Sequence, residues 1–170
     1  QLGLITSGIQ SNTAIISGTS GANILDQSGA AASVQIYGLD GDDTIKGSSY
    51  ADIIRGGAGA DSIDGGAGND TVTGGAGNDS RVALDGNDVF VFAAGFGNDQ
   101  VFGFDAAPAG GQDRLDISAM NITAATFAAN VTIADVGADT LVSFAGATDT
   151  IRLVGVGDAT SVTAADFLLT

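Results

Sequence analysis

Residues 38–73 read GLDGDDTIK, GSSYADIIR, GGAGADSID and GGAGNDTVT, and residues 74–82 add GGAGNDSRV: one nine-residue phrase, repeated without a gap. Asp holds the sixth place of every copy (Asp43, Asp52, Asp61, Asp70, Asp79), and Ile or Val holds the eighth place of the first four (Ile45, Ile54, Ile63, Val72). A fixed period predicts an architecture as well as a site, because no copy can bury its apolar side alone. The first six places are glycine-rich and turn-like; the last three are strand-like. Strand alternation points the eighth side chain one way and the seventh and ninth the other. Those flanking places hold Thr44, Lys46, Arg55, Ser62, Asp64, Thr71 and Thr73, with Ile53 the apolar departure; Ile53 and, in the fifth copy, Val82 are expected to be exposed apolar side chains. Three-residue strands are unstable alone. Stacked in parallel about 4.8 Å apart, they share one interior. Two copies make one coil, so the expected fold is an all-β parallel solenoid in which aspartates 18 residues apart share an edge. Asp43, Asp61 and Asp79 then form one row, with Asn23 below and Asp99 above; Asp52, Asp70 and Asp88 form the other.

Worn copies extend the pattern both ways. GTSGANILD (18–26) puts Asn23 in the Asp place; GAAASVQIY (29–37), after Gln27 and Ser28, keeps only the first Gly and Ile36. Residues 1–19 read as strand and turn material. ALDGNDVFV (83–91) and, after Phe92 and Ala93, AGFGNDQVF (94–102) keep Asp88 and Asp99 in register. One copy breaks the rule: Arg81 stands in the apolar eighth place, so either its side chain leaves the core axis or the winding changes there. Past residue 102 the segments RLDI, TLVSF and TIRLV read as strands by their β-branched, apolar alternation. Residues 123–129 suit a short helix, and Thr163 with Asp166 suits a helix-capping pair. The expected organisation is one domain over 1–170: degenerate coils over 1–37, repeats over 38–102, and an irregular β-rich C-terminal cap over 103–170.

All 20 acidic residues of this 170-residue chain are Asp, against five basic residues, for a net charge of −15. Asp presents oxygen close to the main chain, as a tight metal-binding turn requires. Nucleic acid and anionic membrane surfaces, which need Lys/Arg clusters, are unsuited as partners. No apolar run is long enough for a transmembrane helix, so membrane insertion is not expected. The chain begins with Gln1 and shows no charged-then-apolar leader; it reads as a processed product or one domain of a longer protein. His, Cys and Glu are absent, which removes Ser–His and thiol chemistry and the commonest metal catalysis, and no enzyme is expected. A single Asp in such a turn reads as a hydrogen-bonding cap; rows of them, with turn carbonyls as the other donors, read as calcium sites. The oxygen-only donor set suits calcium better than magnesium, which demands near-octahedral geometry.

GGAGADSID, GGAGNDTVT and GGAGNDSRV match G-G-x-G-x-D-x-U-x, the nonapeptide of calcium-binding RTX proteins. DRLDIS, ADTLVSF, DTIRLVGV and the terminal TAADFLLT also resemble the C-terminal region of RTX exoproteins from Gram-negative bacteria. The resemblance covers residues 18–170. It implies a parallel β-roll with about four to six calcium ions in its turns. The ligand carboxylates fall on Asp43, Asp52, Asp61, Asp70, Asp79, Asp88 and Asp99. The turn donors fall on Gly38, Asp40 and Gly41; Gly56, Ala58 and Gly59; Gly65, Ala67 and Gly68; and Gly74, Ala76 and Gly77. GSSYADIIR departs from the motif by lacking its second and fourth glycines, and Asn23 departs in the Asp place.

The resemblance further implies export through type I secretion machinery to the exterior or surface of a Gram-negative cell. At free calcium about ten-fold above Kd, each independent site contributes about 1.4 kcal/mol, and four or five sites about 6–7 kcal/mol. That is comparable with the stability of a typical domain. The expected role is therefore a C-terminal export and folding module, unfolded at low calcium and folded outside. The alternative is a structural or adhesive surface protein that self-associates, or binds surface polysaccharide, with calcium bridging its acidic faces.

Overall fold

The computed structural model describes residues 13–82, 84–106 and 112–170; residues 1–12, most of the expected N-terminal strand and turn material, lie outside them. Among the described residues, seven strands form one sheet in the order β1 (Ala14–Ser17), β3 (Val34–Asp40), β5 (Ile53–Ala58), β7 (Thr71–Ala76), β9 (Val89–Val91), β11 (Arg114–Asp116) and β15 (Phe167–Leu168). The facing sheet has eight: β2 (Ile24–Asp26), β4 (Thr44–Lys46), β6 (Ser62–Asp64), β8 (Ser80–Val82), β10 (Asn98–Phe102), β14 (Thr150–Val154), β13 (Asp139–Phe144) and β12 (Val131–Val136). Successive strands alternate between the sheets through β11. The chain is the expected parallel β-solenoid of nine-residue repeats.

Register is set by the eighth place. Ile16, Ile36, Ile54, Val72, Phe90, Leu115 and Phe167 pair in sequence as one inward column. Leu25, Ile45, Ile63, Arg81, Val101 and Leu153 form the other. A one-residue slip would turn every one of these side chains outward, which is why the period specifies the winding. The two-residue insertions at 27–28 and 92–93 lengthen single coils from 18 to 20 residues without breaking the columns: Leu25 still meets Ile45, and Arg81 meets Val101.

Four expectations are corrected. Arg81 neither leaves the core axis nor disturbs the winding; it is fully buried in its column between Ile63 and Val101, for an electrostatic reason given below. Strands β3, β5 and β7 are longer than three residues, because Asp40, Ala58 and Ala76 in the third place of the following turn also pair in parallel. Ile53 is exposed, but Val82 is half-buried. Of the expected helix over 123–129, only the part within Phe127–Asn130 is α-helical, residues 124–126 forming a turn ahead of it.

The top of the roll is closed differently. β14 continues the parallel stack on β10, but β13 and β12 pair antiparallel and extend the same sheet beyond β14. Aromatic side chains fill the wider interior here: Phe92 and Phe96 rings lie 4.9 Å apart, Phe96 and Phe144 6.0 Å, Phe127 and Phe167 4.9 Å. Thr163 and Asp166 form a reciprocal capping box around a 3-10 turn, Ala164–Asp166, that delivers Phe167 into β15.

Candidate metal centres

The sixth-place aspartates are stacked along the two edges and almost fully buried. Each sends one carboxylate oxygen to the coil beneath. The main-chain N–H of Asn23 donates to Oδ1 of Asp43 (2.7 Å), that of Asp43 to Asp61 (2.9 Å), Asp61 to Asp79 (3.0 Å) and Asp79 to Asp99 (2.8 Å). On the other edge Val34 donates to Asp52, Asp52 to Asp70, Asp70 to Asp88 and Asp88 to Asp113, all at 2.8–2.9 Å. The hydrogen-bonding reading of these residues therefore accounts for Oδ1, across coils instead of within a turn.

It does not account for Oδ2. Among the described residues, Oδ2 of Asp43, Asp61, Asp70 and Asp79 is buried with no hydrogen-bond partner. A buried polar atom left so costs roughly 1–3 kcal/mol, more when charged. Oδ2 of Asp43 lies over the Cα of Gly38 together with the carbonyl oxygen of Gly56 from the coil above, and a Cβ at Gly38 would strike both. Oδ2 of Asp61 meets the Gly74 carbonyl over Gly56 in the same way. First-place glycine is thus required by close approach of oxygen. Second- and fourth-place glycines are required by backbone conformation: Gly57, Gly66 and Gly75, and Gly41, Gly59, Gly68 and Gly77, all have positive φ.

The other expected donors are partly engaged. The Ala58 carbonyl accepts the N–H of Gly41, and that of Ala76 the N–H of Gly59. Asp40 pairs with Ala58, and Ala67 with Asp85. Gly65 packs against the carboxylate of its own copy's Asp70. Among the described residues no three acidic side chains converge on one point, so any cation here takes main-chain carbonyls as well as carboxylates. That is an oxygen-only, hard donor set of the kind calcium accepts.

Charge shows the cost of the fold without a cation. Adjacent charged carboxylates about 4.8 Å apart repel by about 3 kcal/mol at an effective dielectric of about 20. Burial pushes the carboxyls of Asp61, Asp88 and Asp99 up to about 6 and that of Asp70 up to about 7. Desolvation is the main cause in each. The amide from the coil below pulls each back, and like-charged neighbours in the row add to the rise. Asp79 and Asp113 are raised by the same desolvation.

Two copies are built otherwise. Ser48, in the second place of GSSYADIIR, donates its N–H to Oδ2 of Asp52 at 2.6 Å and sets its hydroxyl 2.9 Å from the same oxygen. Asp52 is thus partnered from within its own turn. Asp99 is also engaged, its Oδ2 paired with the Arg81 guanidinium. Sequence reasoning missed both partners, and it missed Asp113 as the top of the second row. The Asp113-Arg114-Leu115 fragment reads in sequence as a repeat of the second half of the unit, but the 25-residue step from Asp88 hid its place in the row. It also missed an outer ladder at the fifth place, where Asp42 accepts from the N–H of Ala60, Asn69 from Asn87 and Asn78 from Asn98.

The family model for the RTX calcium-binding nonapeptide repeat matches in four copies, at residues 29–49, 37–72, 46–80 and 61–90. The chain carries RTX calcium-binding repeats. The fold agrees. The solution structure of the R3 subunit of the AlgE6 mannuronan C5-epimerase from Azotobacter vinelandii is 25% identical, with a TM-score of 0.60 over 94% of this chain and 84% of that one. The R2 subunit of the same epimerase is 24% identical, with a TM-score of 0.53 over 91% of each chain, a likeness of fold alone. No curated protein matches the chain in sequence. The unpartnered oxygens of Asp43, Asp61 and Asp70 all lie within the segments that match the RTX model. Among the described residues, no helix is long and apolar enough to cross a membrane.

Proposed function

We propose that this RTX domain is a calcium-dependent folding module of a secreted protein. Its ions lie between successive coils, on Asp43 with the Gly56 carbonyl, on Asp61 with the Gly74 carbonyl, and in the Asp70 turn. The buried Oδ2 atoms without hydrogen-bond partners carry this reading. They are costly in the metal-free fold and become ligands when a cation enters. Calcium supplies the positive charge that neutralises the rows. The chain's own residues supply the cradle: first-place glycines admit the oxygens, and the Oδ1–amide bonds hold successive coils at one spacing.

The consequence is a switch. Without calcium, row repulsion and the conformational entropy of a glycine-rich chain oppose folding. In a low-calcium cytosol the chain stays extended enough for a type I export channel, and outside the cell it folds. The chain itself does no chemistry in this reading; it serves whatever protein it is joined to. Far-UV circular dichroism in calcium and in excess chelator tests the switch. The expected result is cooperative gain of β structure on adding calcium, and full β structure persisting in chelator would refute it. Export is tested by appending residues 1–170 to a reporter in a Gram-negative host with and without a type I exporter.

A further inference from the structure

Arg81 is the largest fully buried side chain among the described residues, in a column otherwise made of Leu, Ile and Val. An isolated buried guanidinium is very costly, so its partners explain its presence. One terminal nitrogen pairs with Oδ2 of Asp99. The other donates to the Val91 carbonyl at 3.2 Å, and the guanidinium carbon lies 4.1 Å from the centroid of the Phe92 ring. Its Nε lies over Gly74 beside Oδ2 of Asp79. In the two coils below, the atom in that position is the carbonyl oxygen of Gly56 or Gly74, sharing its cradle with Asp43 or Asp61. Asp79 Oδ2 and Arg81 Nε are also the two atoms of this interval without hydrogen-bond partners, an acceptor and a donor side by side. Burial pushes the guanidinium pKa down, while Asp99 and Asp79 both oppose that shift.

We infer that Arg81 is a tethered cation that takes the place of calcium between Asp79 and Asp99, closing that interval to metal. The inference rests on the calcium reading of the lower intervals and adds that one place in the row is neutralised by the chain itself. The coils at β8 and β10, and the C-terminal strands stacked on them, then hold their charge balance without calcium. In this row metal is needed only below.

The test counts ions. Arg81→Ile restores the residue found at Ile45 and Ile63, and native mass spectrometry in saturating calcium is expected to find one more ion bound than in the unsubstituted protein. A folded variant with an equal or smaller number overturns the inference. A second measurement does not depend on the variant folding: anomalous diffraction from crystals of the unsubstituted protein grown with calcium. Ions at Asp43 and Asp61 with none between Asp79 and Asp99 support the inference. An ion between Asp79 and Asp99 overturns it while leaving the calcium reading intact. No ion in any interval overturns both.

Discussion

The main-chain N–H of Asp43 donates to Oδ1 of Asp61, 2.9 Å away in the next coil, while Oδ2 of Asp61 lies buried without a hydrogen-bond partner among the described residues. One carboxylate is divided between holding coils together and presenting charge. Asp61→Asn keeps the acceptor and removes the charge; it is expected to weaken the calcium midpoint of folding about ten-fold, or about 1.4 kcal/mol. Asp61→Ala also strands the Asp43 amide, for a further loss of about 1–3 kcal/mol. Calcium titrations followed by circular dichroism distinguish the two, and identical midpoints would rule out the stitching role.

Ser48 fills, with its own donors, the position that calcium takes elsewhere in this reading. Ser48→Gly frees Oδ2 of Asp52 from the hydroxyl and restores the motif's second glycine. The variant is expected to gain a calcium ion, and to lose about 1 kcal/mol of stability in chelator with the hydroxyl bond. Ion counting by native mass spectrometry and melting in chelator check both halves. An unchanged count would mean that Ser48 does not compete with metal.

Leu39 has φ of +87°, in the place where Gly57, Gly66 and Gly75 also take positive φ. A branched side chain held there is strained by about 1–2 kcal/mol, and Leu39 is 45% exposed, so only part of a side chain's packing is lost on removing it. Leu39→Gly relieves the strain and gives back part of it through the entropy of the unfolded chain. The expected net gain is about 0.5–1 kcal/mol, read as a rise of a few degrees in Tm. A fall in Tm would show that Leu39 makes contacts worth more than its strain.

The pH dependence follows from the row. In the metal-free fold Asp61, Asp88 and Asp99 sit at about 6 and Asp70 at about 7, above the ordinary 3.8. The folded form therefore binds protons more tightly than the unfolded one. The stability this confers is complete below about 3.8 and is lost as pH rises through 6–7. Acidifying chelated protein from pH 8 to 5 is expected to increase β structure, while calcium affinity falls over the same range because protons and metal compete for the same oxygens. Circular dichroism in chelator and calcium titrations at several pH values read the two trends, and trends of the same sign would contradict the scheme.

The nine-residue period by itself determined the parallel winding, the 18-residue coil, the two inward columns and the two rows of aspartate. All of these follow from local rules, strand alternation and glycine geometry, applied at a constant interval. Insertions at 27–28 and 92–93 left the columns legible because they fall at coil corners, outside the paired strands. What the period could not convey is which partner each carboxylate finds. Ser48 and Arg81 are both departures from the motif, and a departure reads as damage until the tertiary structure shows Ser48 bonded to Asp52 and Arg81 lying between Asp79 and Asp99. The antiparallel return of β13 and β12 was equally hidden, since strand alternation carries no direction. Pairing between distant residues is decided by space and charge in the folded interior, and there the same Asp keeps a buried oxygen without a hydrogen-bond partner, accepts from its own turn or forms half of an ion pair according to its neighbour.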